Sequence, residues 1–202
     1  MPPIEDRPFA HYVYRYTDFV GELTAGLYGH SHPVIRETLI NTITEVGMNL
    51  GATTAQEAKF AALICSRFNL ERIRFCNSGT EANLHALAGA RRFTGKRKVV
   101  VFTGGYHGAV LSFGSGSAPN NVDQDDWVVA RYNDVRSARQ AIEGTEGVAA
   151  VLVEGMQGSG GCIPGTKDFL MAIQESAKKV RYLFLNGSAL SYRDPGRRCV
   201  HP

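Results

Sequence analysis

The sequence predicts an α/β fold: a mostly parallel sheet with helices on both faces. Three observations predict it. Short continuous apolar runs, Val99-Val100-Val101-Phe102 and Val148 to Val153, have the composition of strands buried on both sides. Segments with helical apolar spacing separate them. Glycine-rich polar turns close the runs, at the carboxyl ends of strands where sheets of this class hold their ligands.

The 202 residues, 44% apolar and 20% charged, suffice for one large domain or a domain plus a lobe. Residues 1–180 hold 18 basic and 18 acidic groups, whereas 181–202 hold four arginines and one aspartate. A neutral body without a basic stripe gives no electrostatic basis for a nucleic-acid partner. Cys65, Cys76, Cys162 and Cys199 form no Cys-x-x-Cys pair, so neither a zinc site nor a disulfide framework is signalled, and buried thiols are expected. The start, Met1 to Asp6, lacks the apolar core of a signal peptide, and no apolar run approaches the ~20 residues of a membrane span. A soluble cytoplasmic protein with no membrane partner is the expectation.

In chain order, residues 9–16 are strand-like in composition, and Gly21 to His30 is a loop with three glycines. His30 and His32 flank Ser31 without a third ligand, so no metal is assigned. Pro33 suits a first helical position, and Ile35, Leu39, Ile43 and Val46 then share one face. A second helix follows the polar break at 49–54, with Ala58, Ala61, Ala62, Cys65 and Phe68 as its apolar stripe.

Arg72 to Cys76 reads as a strand that breaks at Asn77-Ser78-Gly79-Thr80-Glu81 into an alanine- and leucine-rich helix. Ser78 and Glu81 have capping-box spacing. Gly79 puts no side chain between backbone and ligand, and Ser78 and Thr80 add hydroxyls beside the free amides and positive end of the helix dipole. That combination suits a phosphate; the same spacing also starts helices that bind nothing.

After Val99–Phe102 comes Thr103-Gly104-Gly105-Tyr106-His107-Gly108, and residues 112–126 form a polar loop. Val128-Val129 suggests a short strand, Val135 to Glu143 a surface helix, and Val148 to Val153 a buried strand ending on Glu154 before Gly155-Met156-Gln157-Gly158. Asp168 is expected to cap a helix carrying Phe169, Ile173, Ala177 and Val180. The turns at residues 78–80, at Tyr106-His107 and at Glu154 with Gln157 can then face one crevice.

With Gly-Glu-Leu-Thr-Ala-Gly-Leu-Tyr-Gly-His-Ser-His-Pro from Gly21, Asn-Ser-Gly-Thr-Glu-Ala-Asn from Asn77, Tyr-His-Gly from Tyr106 and Val-Glu-Gly-Met-Gln-Gly-Ser-Gly-Gly from Val153, the chain resembles class III aminotransferases of the fold-type I pyridoxal-phosphate enzymes over residues 16–180. Within them it looks most like the glutamate-1-semialdehyde 2,1-aminomutase group. The resemblance implies pyridoxal 5'-phosphate as cofactor, an amino acid or a keto or aldehyde compound as substrate, and homodimers. It implies that Ser78, Gly79 and Thr80 hold the phosphate, that Tyr106 lies over the ring with His107 beside it, and that Glu154 and Gln157 border the ring and its phenolic oxygen.

The family's chemistry also needs a lysine amine for the cofactor aldehyde and an acid paired with the ring nitrogen. The acid is expected at or near Gly187, and Lys59, Lys96, Lys98, Lys167, Lys178 and Lys179 match no such lysine. No catalytic residue is therefore assigned. Residues 1–50 are expected to be an N-terminal segment, 51–180 the cofactor-binding portion and 181–202 an atypical tail outside the fold, in a chain that corresponds to the middle of the enzyme. Two functions stay open: an amino-group-transferring enzyme, and a catalytically silent relative that binds the cofactor phosphate weakly or associates with a full-length one.

Overall fold

A computed structural model describes residues 16–114, 123–180 and 183–186. The chain divides into two units, Met1–Thr54 and Ala55–Pro202. Most of the strand-like stretch at 9–16, part of the polar loop at 112–126, Cys199 and the position of the expected acid lie outside the described residues.

In the first unit a 3-10 turn at Gly21–Thr24 precedes helix α1, Pro33–Glu45, with Pro33 at its first position. Proline fits there because that amide has no intrahelical acceptor. The expected stripe forms on α1, yet Ile35, Leu39 and Ile43, with Val46 just beyond, stay between 43% and 58% exposed. His30 Nε2 lies 2.6 Å from Glu22 Oε1, and this hydrogen bond raises the histidine's pKa.

The second unit begins with α2, Ala55–Phe68, which buries none of its residues; Phe60 stacks on Phe75 at 5.1 Å between ring centroids. Helix α3, Gly79–Thr94, starts on Ser78 and ends on Gly95, whose left-handed φ of 67° lets its amide donate to Arg91 O. Strands β1, Lys98–Phe102, and β2, Trp127–Ala130, follow, then α4, Val135–Gly144, and β3, Val148–Val153. A two-residue ribbon, β4 at Met156–Gln157 with β5 at Ile163–Pro164, leads to α5, Lys167–Lys179, and β6, Leu183–Asn186.

The main sheet runs β2-β1-β3-β6 with every pairing parallel. Its two faces carry separate cores. Val100, Phe102, Val151 and Val153 pack with Ile142 of α4 and Phe169 and Ile173 of α5. Val99, Val101, Ala150 and Leu152 pack with Leu87 and Ala90 of α3, and with Leu111, Phe113 and Trp127. Successive residues of β1 and β3 thus serve opposite faces, which is why Val99–Phe102 and Val148–Val153 carry no polar side chain.

Four expectations are corrected. Arg72–Cys76 forms no strand, since no described strand lies beside it to take its amides and carbonyls. Thr166, not Asp168, caps α5: its hydroxyl accepts from Phe169 N, while Asp168 sits in the first turn, where its charge suits the helix dipole. Cys162 is exposed and Cys65 and Cys76 are half-buried, so these three thiols are not core groups. Leu183–Asn186, expected outside the fold, pairs in parallel with Ala150–Val153 as the fourth strand.

Candidate functional site

The first wall of the site is the start of α3. Ser78 Oγ accepts from Glu81 N at 3.2 Å, and Glu81 Oε2 accepts from Asn77 N at 2.6 Å, one residue further back than in the usual capping box. The amides of Gly79 and Thr80 have no intrahelical acceptor. A Cβ on Gly79 would meet no atom within 4 Å, so the backbone there is open to approach. Thr80 faces the protein instead: its Oγ1 accepts from Ala109 N at 3.2 Å.

The second wall is the turn after β1. Gly104 N donates to Phe113 O, Phe113 N to Gly105 O and His107 N to Leu111 O, which folds residues 104–113 into a closed hairpin. Gly108 has φ of 124° and lies so close to α3 that a Cβ there would stand 2.2 Å from Thr80 Oγ1. His107 is buried at 3% exposure, and burial lowers its pKa to about 4, leaving it neutral at physiological pH. Tyr106 beside it is 46% exposed.

The third wall follows β3. Glu154 Oε1 accepts from Tyr106 N at 2.6 Å, and Oε2 accepts from Gly158 N at 3.1 Å. Gln157 Nε2 donates to Thr103 O at 2.7 Å, and Cβ atoms on Gly104 or Gly160 would each meet Gln157 Oε1 at 2.9 Å. The three turns singled out from the sequence therefore meet: α3 binds the Tyr106 turn, and Glu154 and Gln157 bind it from the other strand.

Sequence reasoning missed the residues that join these walls. Asn83 Nδ2 donates to His107 O at 2.7 Å from a buried position one turn beyond Thr80. Its signal was available, as a polar residue on the face of an otherwise apolar helix pattern. Tyr132, after β2, donates its hydroxyl to Glu154 O at 2.9 Å, and its pKa is raised by burial and then by the Glu154 charge. Removing that hydroxyl leaves a partly buried carbonyl unpaired, so Tyr132→Phe is expected to lower stability by about 1–2 kcal/mol, measured by urea denaturation.

The residues fit an anionic group at the head of α3: open backbone at Gly79, the Ser78 hydroxyl, two free amides and the dipole coincide. Lys98 begins β1, and Lys178 and Lys179 end α5, with Lys179 Nζ paired to Glu143 at the close of α4. Among the described residues, no group of three His, Cys, Asp or Glu is gathered that could hold a metal.

A parallel sheet with helices packed on both faces, and an open helix head beside the turns that close its strands, defines a domain of the α/β class. The sequence pattern of the family described as aminotransferase class-III matches residues 14–186, and the chain belongs to that family. It is 51% identical over 183 residues to the β-phenylalanine transaminase of Variovorax paradoxus, covering 89% of this chain and 42% of that one. The solved aminotransferase from that organism superposes with a TM-score of 0.80 over 85% of this chain and 40% of its own. The glutamate-1-semialdehyde 2,1-aminomutase of Chloroherpeton thalassium is 35% identical over 179 residues, covering 81% of this chain and 41% of that enzyme. A transaminase solved with PLP bound matches at 25% identity and a TM-score of 0.75, over 84% and 43% of the two chains. The chain thus spans about two-fifths of the length of these relatives. The family is pyridoxal-phosphate dependent.

Proposed function

We propose that this chain carries the cofactor seat of a pyridoxal-phosphate aminotransferase or aminomutase: Ser78, Gly79 and Thr80 take the phosphate, Tyr106 and His107 cover the ring, and Glu154 and Gln157 border it and its phenolic oxygen. The observation that carries this reading is the convergence of the open helix head at Gly79 with the Tyr106 turn, locked to it through Thr80 and Asn83. Bound there, pyridoxal phosphate supplies an aldehyde and an electron-withdrawing ring for moving an amino group. The protein's own part is to hold and orient. The α3 amides fix the anion, Glu154 fixes the backbone of Tyr106, and neutral His107 brings no charge to the ring's surroundings.

The whole protein's reaction is then amino transfer between a small amino compound and a keto or aldehyde partner. Lys98 opens β1 and Lys178 and Lys179 close α5, the ends of those elements opposite the turns of the site, which supports a second reading for this polypeptide alone: a binding body without its own amine. Titration with pyridoxal phosphate, followed by borohydride and peptide mapping, tests both. The expected result is saturable binding that inorganic phosphate competes away, with no lysine labelled. Failure to bind would remove the cofactor seat, and stable labelling of one lysine would overturn the binding-only reading.

A further inference from the structure

We propose that Asn83 is a positioning residue: the hydrogen bond from its buried side-chain amide to the His107 carbonyl sets where Tyr106 stands relative to the anion seat. This rests on the proposed role of residues 78–80. Asn83 and Thr80 are three residues apart on α3 and so share a face. Asn83 Nδ2 donates to His107 O at 2.7 Å, and Thr80 Oγ1 accepts from Ala109 N at 3.2 Å. Two points of the turn are thereby pinned to the same helix whose head forms the seat.

On the other side, Tyr106 N is fixed by Glu154 Oε1 at 2.6 Å. The three bonds clasp the backbone at Tyr106, His107 and Ala109 between α3 and the end of β3, and Gly108 permits the close approach because a Cβ there would overlap Thr80. Without the Asn83 donor, the His107 carbonyl loses its tie to the helix, and the turn is held to α3 by one hydroxyl. The seat itself, made of the backbone at 78–80 and the Ser78 hydroxyl, contains no atom of Asn83. Ring placement and phosphate holding are therefore separable.

Asn83→Leu keeps the side chain's approximate size and removes the donor without adding a charge near the seat. In that variant, amide hydrogen exchange at Tyr106 and Ala109 is expected to quicken about tenfold, with Val151 and Leu152 unchanged. Affinity for pyridoxamine 5'-phosphate is expected to fall about tenfold, while affinity for inorganic phosphate changes less than about twofold. Unchanged exchange in the turn, or parallel loss for both probes, would overturn the inference. If the unsubstituted chain bound neither probe, the seat at 78–80 would fall, and exchange alone would decide the clasp. Should the variant fail to fold, native-state exchange of the unsubstituted chain decides it: a clasp requires the Tyr106 and Ala109 amides to open together with the first turn of α3, and independent opening overturns it.

Discussion

Gly108→Ala is expected to destabilise the protein by about 3 kcal/mol and to abolish cofactor binding. Two costs combine. Gly108 has φ of 124°, a conformation that side chains strongly disfavour, and its Cβ would lie 2.2 Å from Thr80 Oγ1 and 2.8 Å from Thr80 Cα. The second contact is with backbone, so no rotamer change relieves it. The turn must lift from α3, breaking the Ala109–Thr80 bond and straining the Asn83–His107 bond. Gly79→Ala is the contrast. Its Cβ meets no atom within 4 Å, so stability should change by less than about 1 kcal/mol while phosphate affinity falls, because the methyl occupies the approach to the seat. Urea denaturation together with phosphate titration of both variants checks the pair.

Stability is expected to fall by about 3 kcal/mol as pH is lowered from 6.5 to 4, through His107. Burial lowers its pKa to about 4 in the folded protein, against 6.5 when unfolded. Above pH 6.5 the imidazole is neutral in both states and its contribution is at its maximum. Between 6.5 and 4 the unfolded chain binds a proton that the folded chain refuses, so the unfolded state gains. Below the folded value, both are protonated and the loss is complete.

Other shifted groups act in different windows. Asp18, lowered by the amides of Gly21 and Val20, Asp134, lowered by the Ser137 amide, and Glu143, lowered by Lys179 and Ser176, lose their contributions only as pH falls past their ordinary carboxylate values. His30, raised by Glu22, contributes fully below 6.5 and loses its share as pH rises through its folded value. Urea midpoints at pH 7, 5.5 and 4.5 should therefore slope for the unsubstituted chain and flatten for His107→Gln.

Features that depend on neighbours in the chain were legible in the sequence. Ser78 with Glu81, Pro33, and the apolar strands at β1 and β3 appear where spacing and composition place them. Features that depend on distant partners were not. Arg72–Cys76 has strand-forming residues, but residue type cannot report whether another strand lies alongside. Thr166 and Asp168 are both good caps, and the choice between them is fixed by Asn133, whose Oδ1 accepts from Thr166 N at 2.9 Å and whose Nδ2 donates to Pro164 O at 2.9 Å. The site showed the same division. Its three turns were visible as separate glycine-rich breaks, but the Glu154–Tyr106 bond spans 48 residues and the Asn83–His107 bond spans 24. Which atoms meet across such distances follows from strand order and register, and only the folded sheet supplies those.

The most direct test is a crystal structure of the chain grown with pyridoxal 5'-phosphate. Phosphate oxygens within about 3 Å of the Gly79 and Thr80 amides, with the ring beside Tyr106, are the predicted result. A phosphate bound elsewhere, with the head of α3 left to solvent, would contradict the assignment of this helix as the cofactor seat.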